Sequence, residues 1–430
     1  MIEPTRWQIR FFTIWGAQAL SMFGTSLVQF GIVWWLTTTT GSATVLAIAT
    51  LAALLPGVLL GPFAGTLVDR WNRRVVMIVS DAVAALGMLV LAILFATDSL
   101  QIWHIYAATL LRATMQACQF PAMQASTSLM VPQEQLTRVA GLNQMLQGLT
   151  MIAAPPLGAL LLRFIDVQGI LLIDVATALL GILPLFFFRI PQPQAAQASE
   201  PTSVLADMKA GLAYVFAWPG LLMLLCMTAA INLLVAPAMT LQPILVTRHF
   251  GGDAVALAIL EAAFGIGMIV GGVTLGAWGG FKRRIYTSLL GIAAIGAGLL
   301  GLGLMPAGAF WGGVVAMGFV GAMIVLANGP LMAVMQATVA PEFQGRVFTL
   351  AMSASSAMVP VGLLLAGPAA DRFGVQAGYL ASGVICVLMA LVAAFTPAIV
   401  NLESRTADLV AEAQQNAEPS QPPETPLAAK

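Results

Sequence analysis

A chain of 430 residues that is 59% hydrophobic and only 8% charged is no ordinary soluble domain, where about a quarter of residues carry charge. Its formal net charge of +0 offers no basic footprint for nucleic acid. The three cysteines (Cys118, Cys226, Cys386) sit in apolar runs and the two histidines (His104, His249) lie far apart, which excludes a disulfide framework and metal-ligand spacing.

A helix needs about 20 apolar residues to cross a bilayer. Twelve runs meet that length: 11–36, 43–67, 75–96, 102–130, 139–162, 168–189, 219–246, 254–278, 285–306, 309–336, 347–368 and 375–399. The first is too long for the core of a cleavable signal, and no small-residue cleavage site follows it. Arg6, Arg10, Arg70, Arg73, Arg74, Arg138, Arg189, Lys209, Lys282, Arg283, Arg284, Arg346, Arg405 and Lys430 fall on one predicted side, against Arg163, Arg248 and Arg372 on the other. The positive-inside rule then predicts an all-α, multi-pass membrane protein with both termini cytoplasmic. Residues 1–189 read as one six-helix bundle and 219–400 as a second. Residues 190–218 are rich in Pro, Gln, Ala and Ser, and read as a cytoplasmic linker ending in a surface helix (Met208, Leu212, Val215, Phe216 against Asp207, Lys209). The polar, Pro-rich stretch 401–430 reads as a disordered tail.

Between the second and third spans lies Gly65-Thr66-Leu67-Val68-Asp69-Arg70-Trp71-Asn72-Arg73-Arg74. Gly65 permits close helix approach. Asp69 is placed to cap the following helix, and Asn72 to take the left-handed conformation of a tight turn. The cluster reads either as a solvated basic turn or as a gate motif.

Four ionisable residues fall inside spans: Asp81, Arg112, Asp174 and Glu261. Each costs roughly 2.5–3.5 kcal/mol or more at the bilayer centre, so each must face protein or a wet cavity. Asp81, close to the arginine cluster, is expected to pair with Arg70 or Arg74. Arg112, always charged, is expected to pair with Asp174 or with other polar groups. A carboxylate at the depth of Glu261 or Asp174 could take a proton from outside and release it inside. Glu261 is the preferred coupling candidate, because Arg112 can occupy Asp174; the alternative for Glu261 is a helix–helix hydrogen bond. Gln18, Gln29, Gln116, Gln119, Asn143, Gln147 and Asn232 are the candidate cavity residues, with Phe23, Phe30, Trp34 and Trp35 as apolar company. A broad apolar pocket with few polar groups suits a bulky amphipathic ligand.

The halves repeat. Glu134 and Arg138 recur as Glu342 and Arg346, 208 residues on, and Arg73-Arg74 recurs as Arg283-Arg284, 210 on. The second copy of the arginine loop lacks the Asp. Duplicated six-helix units are a transporter architecture, with the cavity at the interface between halves.

The loop at 65–74 resembles the signature Gly-x-Leu-x-Asp-Arg-x-Gly-Arg-Arg of the major facilitator superfamily, with Asn72 in place of the second Gly. Arg112 matches the Arg often found in that family's fourth span, which implies a part in proton coupling, although Gln116 stands where a Gly usually follows. Ala154-Pro155-Pro156-Leu157-Gly158-Ala159 resembles a degenerate exporter motif. Ile14–Ser21, Pro132–Thr137 and Pro341–Phe348 resemble the drug-exporter branch that contains macrolide efflux proteins and the enterobactin exporter. The resemblance implies a proton-driven exporter of macrolide-like compounds in a bacterial cytoplasmic membrane, working by alternating access. The proton gradient would replace any cofactor, and the partners would be a small-molecule substrate and the bilayer, with a monomer expected. It also implies that Asp69, Arg70, Arg73 and Arg74 gate against the other half, near Gln344 and Arg346. Export of a siderophore or other metabolite, import, and a non-transporting scaffold are the alternatives. An enzyme is not expected: no Lys lies in a span, no His in the core, and no Gly-x-x-x-x-Gly-Lys loop occurs.

Overall fold

The computed structural model describes residues 4–188, 190, 212–339 and 341–401, which are helical almost throughout. Twelve long helices carry them: α1 (Pro4–Thr40), α2 (Ala43–Arg70), α3 (Arg73–Ala96), α4 (Ile102–Met130), α5 (Leu136–Leu161), α6 (Val167–Phe187), α7 (Pro219–Thr240), α8 (Ala254–Trp278), α9 (Arg284–Leu304), α10 (Phe310–Thr338), α11 (Pro341–Phe373) and α12 (Val375–Ala394). Ten are long and apolar enough to cross a membrane. The two others are α4 and α5, which carry Arg112, Gln116, Gln119 and Gln124, and Asn143, Gln144 and Gln147. Their polarity has a use inside the bundle.

Several boundaries differ from expectation. The seventh predicted span, 219–246, breaks at Leu241 and continues as Gln242–Ile244 and a wide turn, Leu245–His249. Pro243 has no N–H to continue the ladder. Helix α2 runs on through Arg70, so Asp69 does not hold the N-cap position of α3. Asn72 does: its Oδ1 accepts from Arg74 N (3.1 Å) and Val75 N (3.4 Å). Its backbone is extended (φ −66°, ψ 109°), not left-handed. An N-cap must sit just before the first helical residue, and only Asn72 does. Of the predicted linker helix, residues 212–216 form a helical turn with Val215 buried and Leu212 and Phe216 exposed. Residues 191–211 and 402–430 lie outside the described residues.

Within residues 4–188, α1 packs on α5 and α6, α3 on α4 and α6, and α2 on α4. Within 212–401, α7 packs on α11, α8 on α10, and α9 on α10 and α12. Between these halves, α2 meets α11 and α5 meets α8.

The bundle has an arginine-rich end, where the turns at 71–72 and 279–283 lie, and an opposite end. The apolar core that joins both halves takes Phe30, Ala43, Leu46 and Ala159 from the first half, all toward the opposite end. At the arginine-rich end the first half has its own core of Trp7, Phe11, Met77, Met130, Val139 and Leu185. Among the described residues that core includes no side chain of the second half.

A polar seam reinforces the opposite end. Asp371, near the end of α11, accepts hydrogen bonds from Ser42 Oγ (2.8 Å), Ala43 N (2.7 Å), Thr44 N (2.9 Å) and Thr44 Oγ1 (2.6 Å). These amides are orphan donors of the α2 N-terminus, where a carboxylate is electrostatically favoured. One half thereby caps a helix of the other. Gly367 permits the approach: a Cβ there would lie 2.9 Å from Ala47 Cβ and 3.0 Å from Thr44 Cα.

Candidate functional site

Five helices of the first half turn polar side chains inward around one cavity of about 1130 Å³, counted to its open mouth. Gln18 comes from α1, Asp81 from α3, Arg112, Gln116 and Gln119 from α4, Asn143 and Gln147 from α5, and Asp174 from α6. Apolar wall is supplied by Trp15, Met22, Phe120 and Met123. None of the expected aromatics lines this main cavity: Trp35 packs edge-on against Phe95 (5.1 Å between ring centroids), and Phe30 belongs to the core joining the halves and borders the neighbouring cavity.

Arg112 and Asp174 meet. Arg112 Nη2 lies 3.0 Å from Asp174 Oδ1, which also accepts from Thr25 Oγ1 at 3.3 Å. Both side chains are largely buried, at 14% and 5% exposure. A buried charge is tolerable when it is paired and hydrogen-bonded.

Asp81 departs from expectation. It does not pair with Arg74, and the side chain of Arg70 lies outside the described residues. Instead Asp81 Oδ2 accepts from Gln18 Nε2 at 2.9 Å, and Oδ1 accepts from Gln119 Nε2. Arg74 turns the other way: its Nε donates to Leu185 O and its Nη2 to Phe186 O (2.9 Å). Those carbonyls end α6, where helix geometry leaves acceptors unpaired and cations are favoured. Arg73 Nη1 donates to Ala125 O at 2.8 Å. Proximity in sequence suggested a carboxylate–arginine pair; helix rotation instead points Asp81 into the bundle.

The expected gate contacts are only partly visible. The side chains of Gly65, Asp69, Arg70 and Arg346 lie outside the described residues. Gln344 does not reach toward the arginine loop, since its amide donates to Gln336 O (2.9 Å) and Val339 O (3.1 Å) of its own half.

Gln29 and Glu261 line a neighbouring cavity with Ser26, Phe30 and Thr150. Met22 and Gln147 border both cavities, so the two form one crevice. Glu261 is the contribution of α8 to it. Thr150 Oγ1, also at this wall, is buried without a hydrogen-bond partner among the described residues. The main cavity thus lies within the first half, and only its extension at Glu261 reaches the interface expected from the repeat. Asn232 is not in this crevice. It lines a separate cavity of the second half, with Ile292 and Asn328, and its amide donates to Thr228 O at 3.1 Å.

Sequence reasoning overlooked Asp371 and its partners, which lie 327–329 residues away, so no local signal marks them. It also missed the brace between Trp15 Nε1 and Asn143 Oδ1 (2.7 Å), which fixes α1 against α5 at the cavity wall.

A hollow, amide-lined bundle half with paired charges inside can hold a small molecule. Comparisons with known proteins agree with that architecture. The chain is 34% identical over 392 residues to macrolide efflux protein A of Streptococcus pyogenes, covering 91% of this chain and 97% of that protein. It is 26% identical over 381 residues to the multidrug efflux pump Tap of Mycolicibacterium fortuitum, covering 84% and 90%. The fold superposes on a variant of the nucleoside transporter NupG with a TM-score of 0.68 at 13% identity, covering 90% of this chain and 98% of that one. Residues 14–362 match the Major Facilitator Superfamily, and the chain belongs to that superfamily of membrane transporters.

Proposed function

We propose that the protein is a proton-driven exporter of bulky amphipathic small molecules, macrolide-like drugs among them, in a bacterial cytoplasmic membrane. All twelve long helices span the bilayer, including the polar α4 and α5, with both termini cytoplasmic and the chain acting as a monomer. The arginine-rich end is then the cytoplasmic end. The halves join at the opposite end, so this conformer faces the cytoplasm and receives substrate there. The observation that carries the reading is the amide-lined crevice with buried charges at mid-depth, in a chain 34% identical to a macrolide efflux protein.

In the proposed cycle, substrate enters the crevice from the cytoplasmic side. The seam at Asp371 opens as the arginine loop closes the cytoplasmic end. Glu261 stands where the two halves share the crevice, so its access to either side changes with the conformer. It takes a proton outside and releases it inside. One proton moving through 100 mV supplies about 2.3 kcal/mol, enough to bias the cycle.

The test is macrolide susceptibility of a pump-deficient bacterium expressing the protein, with and without an uncoupler, followed by uptake into inside-out vesicles under an imposed pH gradient. Protection that the uncoupler abolishes, and vesicle uptake that follows the gradient, are expected. Glu261→Gln should lose the gradient-driven component. Macrolide that crosses proteoliposomes in neither direction, under any imposed gradient, would overturn the proposal.

A further inference from the structure

The charged side chains around the main cavity are two carboxylates and one guanidinium: Asp81, Asp174 and Arg112. Arg112 is engaged by Asp174 at 3.0 Å. Asp81 has two amides, Gln18 and Gln119, as its hydrogen-bond donors. Those amides are themselves fixed. Gln119 Nε2 also donates to Gln18 Oε1 (2.9 Å), and Gln18 Nε2 also donates to Gly181 O (3.2 Å). They orient the carboxylate and bring it no charge. A carboxylate accepts about four hydrogen bonds, so about half of that capacity remains for a ligand in the cavity. Asp81 is 5% exposed, and the cavity is what it borders. Helices α4 and α6 pack against α3, and the charges they present here are Arg112 and Asp174, which cancel.

We infer that Asp81, held by Gln18 and Gln119, is the recognition point for a protonated amine, so that the cavity selects amphiphiles bearing one positive charge. With Arg112 and Asp174 paired, Asp81 leaves the main cavity one negative charge over, apart from Glu261 in the adjoining cavity, and one ammonium offsets it. An ammonium donates to the remaining lone pairs of Asp81 through charge-assisted hydrogen bonds. Trp15 and Phe120 also line the cavity with aromatic side chains, and Met22 and Met123 with adaptable apolar ones, for the rest of the molecule. The inference rests on the cavity being the substrate site.

The full-length protein in lipid nanodiscs is titrated by equilibrium dialysis with a macrolide carrying a tertiary amine, and with the N-oxide of the same macrolide, which is neutral overall. The wild type should prefer the amine by about ten- to a hundredfold, the effect of a hydrogen bond to a charged group. Asp81→Asn should bring that ratio to unity, and Asp81→Glu should keep most of it. Ala84→Lys sets an ammonium beside Asp81 on the same helix face and should also erase the preference, which covers the case in which Asp81→Asn does not fold. Retention of the wild-type ratio by Asp81→Asn or Ala84→Lys, or equal binding of both forms by the wild type, would remove the role assigned to Asp81 and leave the cavity as substrate site. Failure of the wild type to bind either form would remove the substrate reading itself, and this inference with it.

Discussion

The interiors of the two halves are built on opposite plans. In the first half, α1, α3, α4, α5 and α6 stand apart around a cavity and bridge it with side chains: Arg112 to Asp174, Gln18 and Gln119 to Asp81, Trp15 to Asn143. In the second half, helices meet backbone to backbone. A methyl group at Gly267 would strike Gly318 O, and one at Gly321 would strike Phe264 O, both across the α8–α10 contact. On α9, a Cβ at Gly291 would lie 2.6 Å from Ala327 N, and at Gly296 2.7 Å from Gly383 O. Small residues let helices pack closely where lipid offers no hydrophobic drive. The charged, amide-lined cavity is therefore a feature of the first half, and close backbone approach a feature of the second.

The contrast can be broken most severely at its charged centre. Arg112→Leu leaves Asp174 buried without its cation and should cost about 3–5 kcal/mol, with transport lost. Thermal unfolding in detergent reads the first effect and vesicle uptake the second. Adding Asp174→Asn should recover much of the stability and none of the transport. If the single change leaves the melting temperature where it was, the pair does not hold the first half together.

Next in size is the second half's packing. Gly267→Ala forces α8 and α10 apart and should destabilise by about 1–3 kcal/mol, as overpacked contacts do. Unchanged melting would mean that the close approach is not needed.

A smaller effect is expected at the seam between halves. Asp371→Asn removes the carboxylate that caps α2, an interaction worth about 1 kcal/mol, or about fivefold in a two-state balance. With the native cysteines replaced, a cysteine at Ala178 in the cavity should label about fivefold faster with a membrane-impermeant thiol reagent added from the Asp371 end. Equal labelling rates would show that the seam does not hold that end shut.

The smallest effect sharpens the comparison by its sign. A Cβ at Gly148 of α5 would meet nothing within 4 Å. Gly148→Ala should therefore be neutral or stabilising by about 0.5–1 kcal/mol, the ordinary helix preference of Ala over Gly. Destabilisation comparable to that of Gly267→Ala would deny the difference between the halves.

How far each of these features could be read in advance depended on the range of the forces behind it. Arg112 was visible as a cost, because a permanent charge inside an apolar run must find a partner. Asp174 was a reasonable partner, but Gln18, Gln119 or a carbonyl would have served equally well on paper. Asp81 misled because its sequence neighbours are arginines, while its neighbours across the bundle are glutamines 63 and 38 residues away. Asn232 looked like the other cavity amides and was set apart only by which half its helix belongs to.

Helix number, the apolar runs and the arginine asymmetry are local properties of the chain, because transfer from water to hydrocarbon acts on each segment by itself. They can be read from residue order alone. Which face of each helix turns inward, which amide meets which carboxylate, and which end of the bundle is closed depend on how segments hundreds of residues apart pack together. Asp371 capping α2 is the clearest case. Neither stretch needs the other to be helical, and only their docking makes an exposed aspartate into the tie between the two halves.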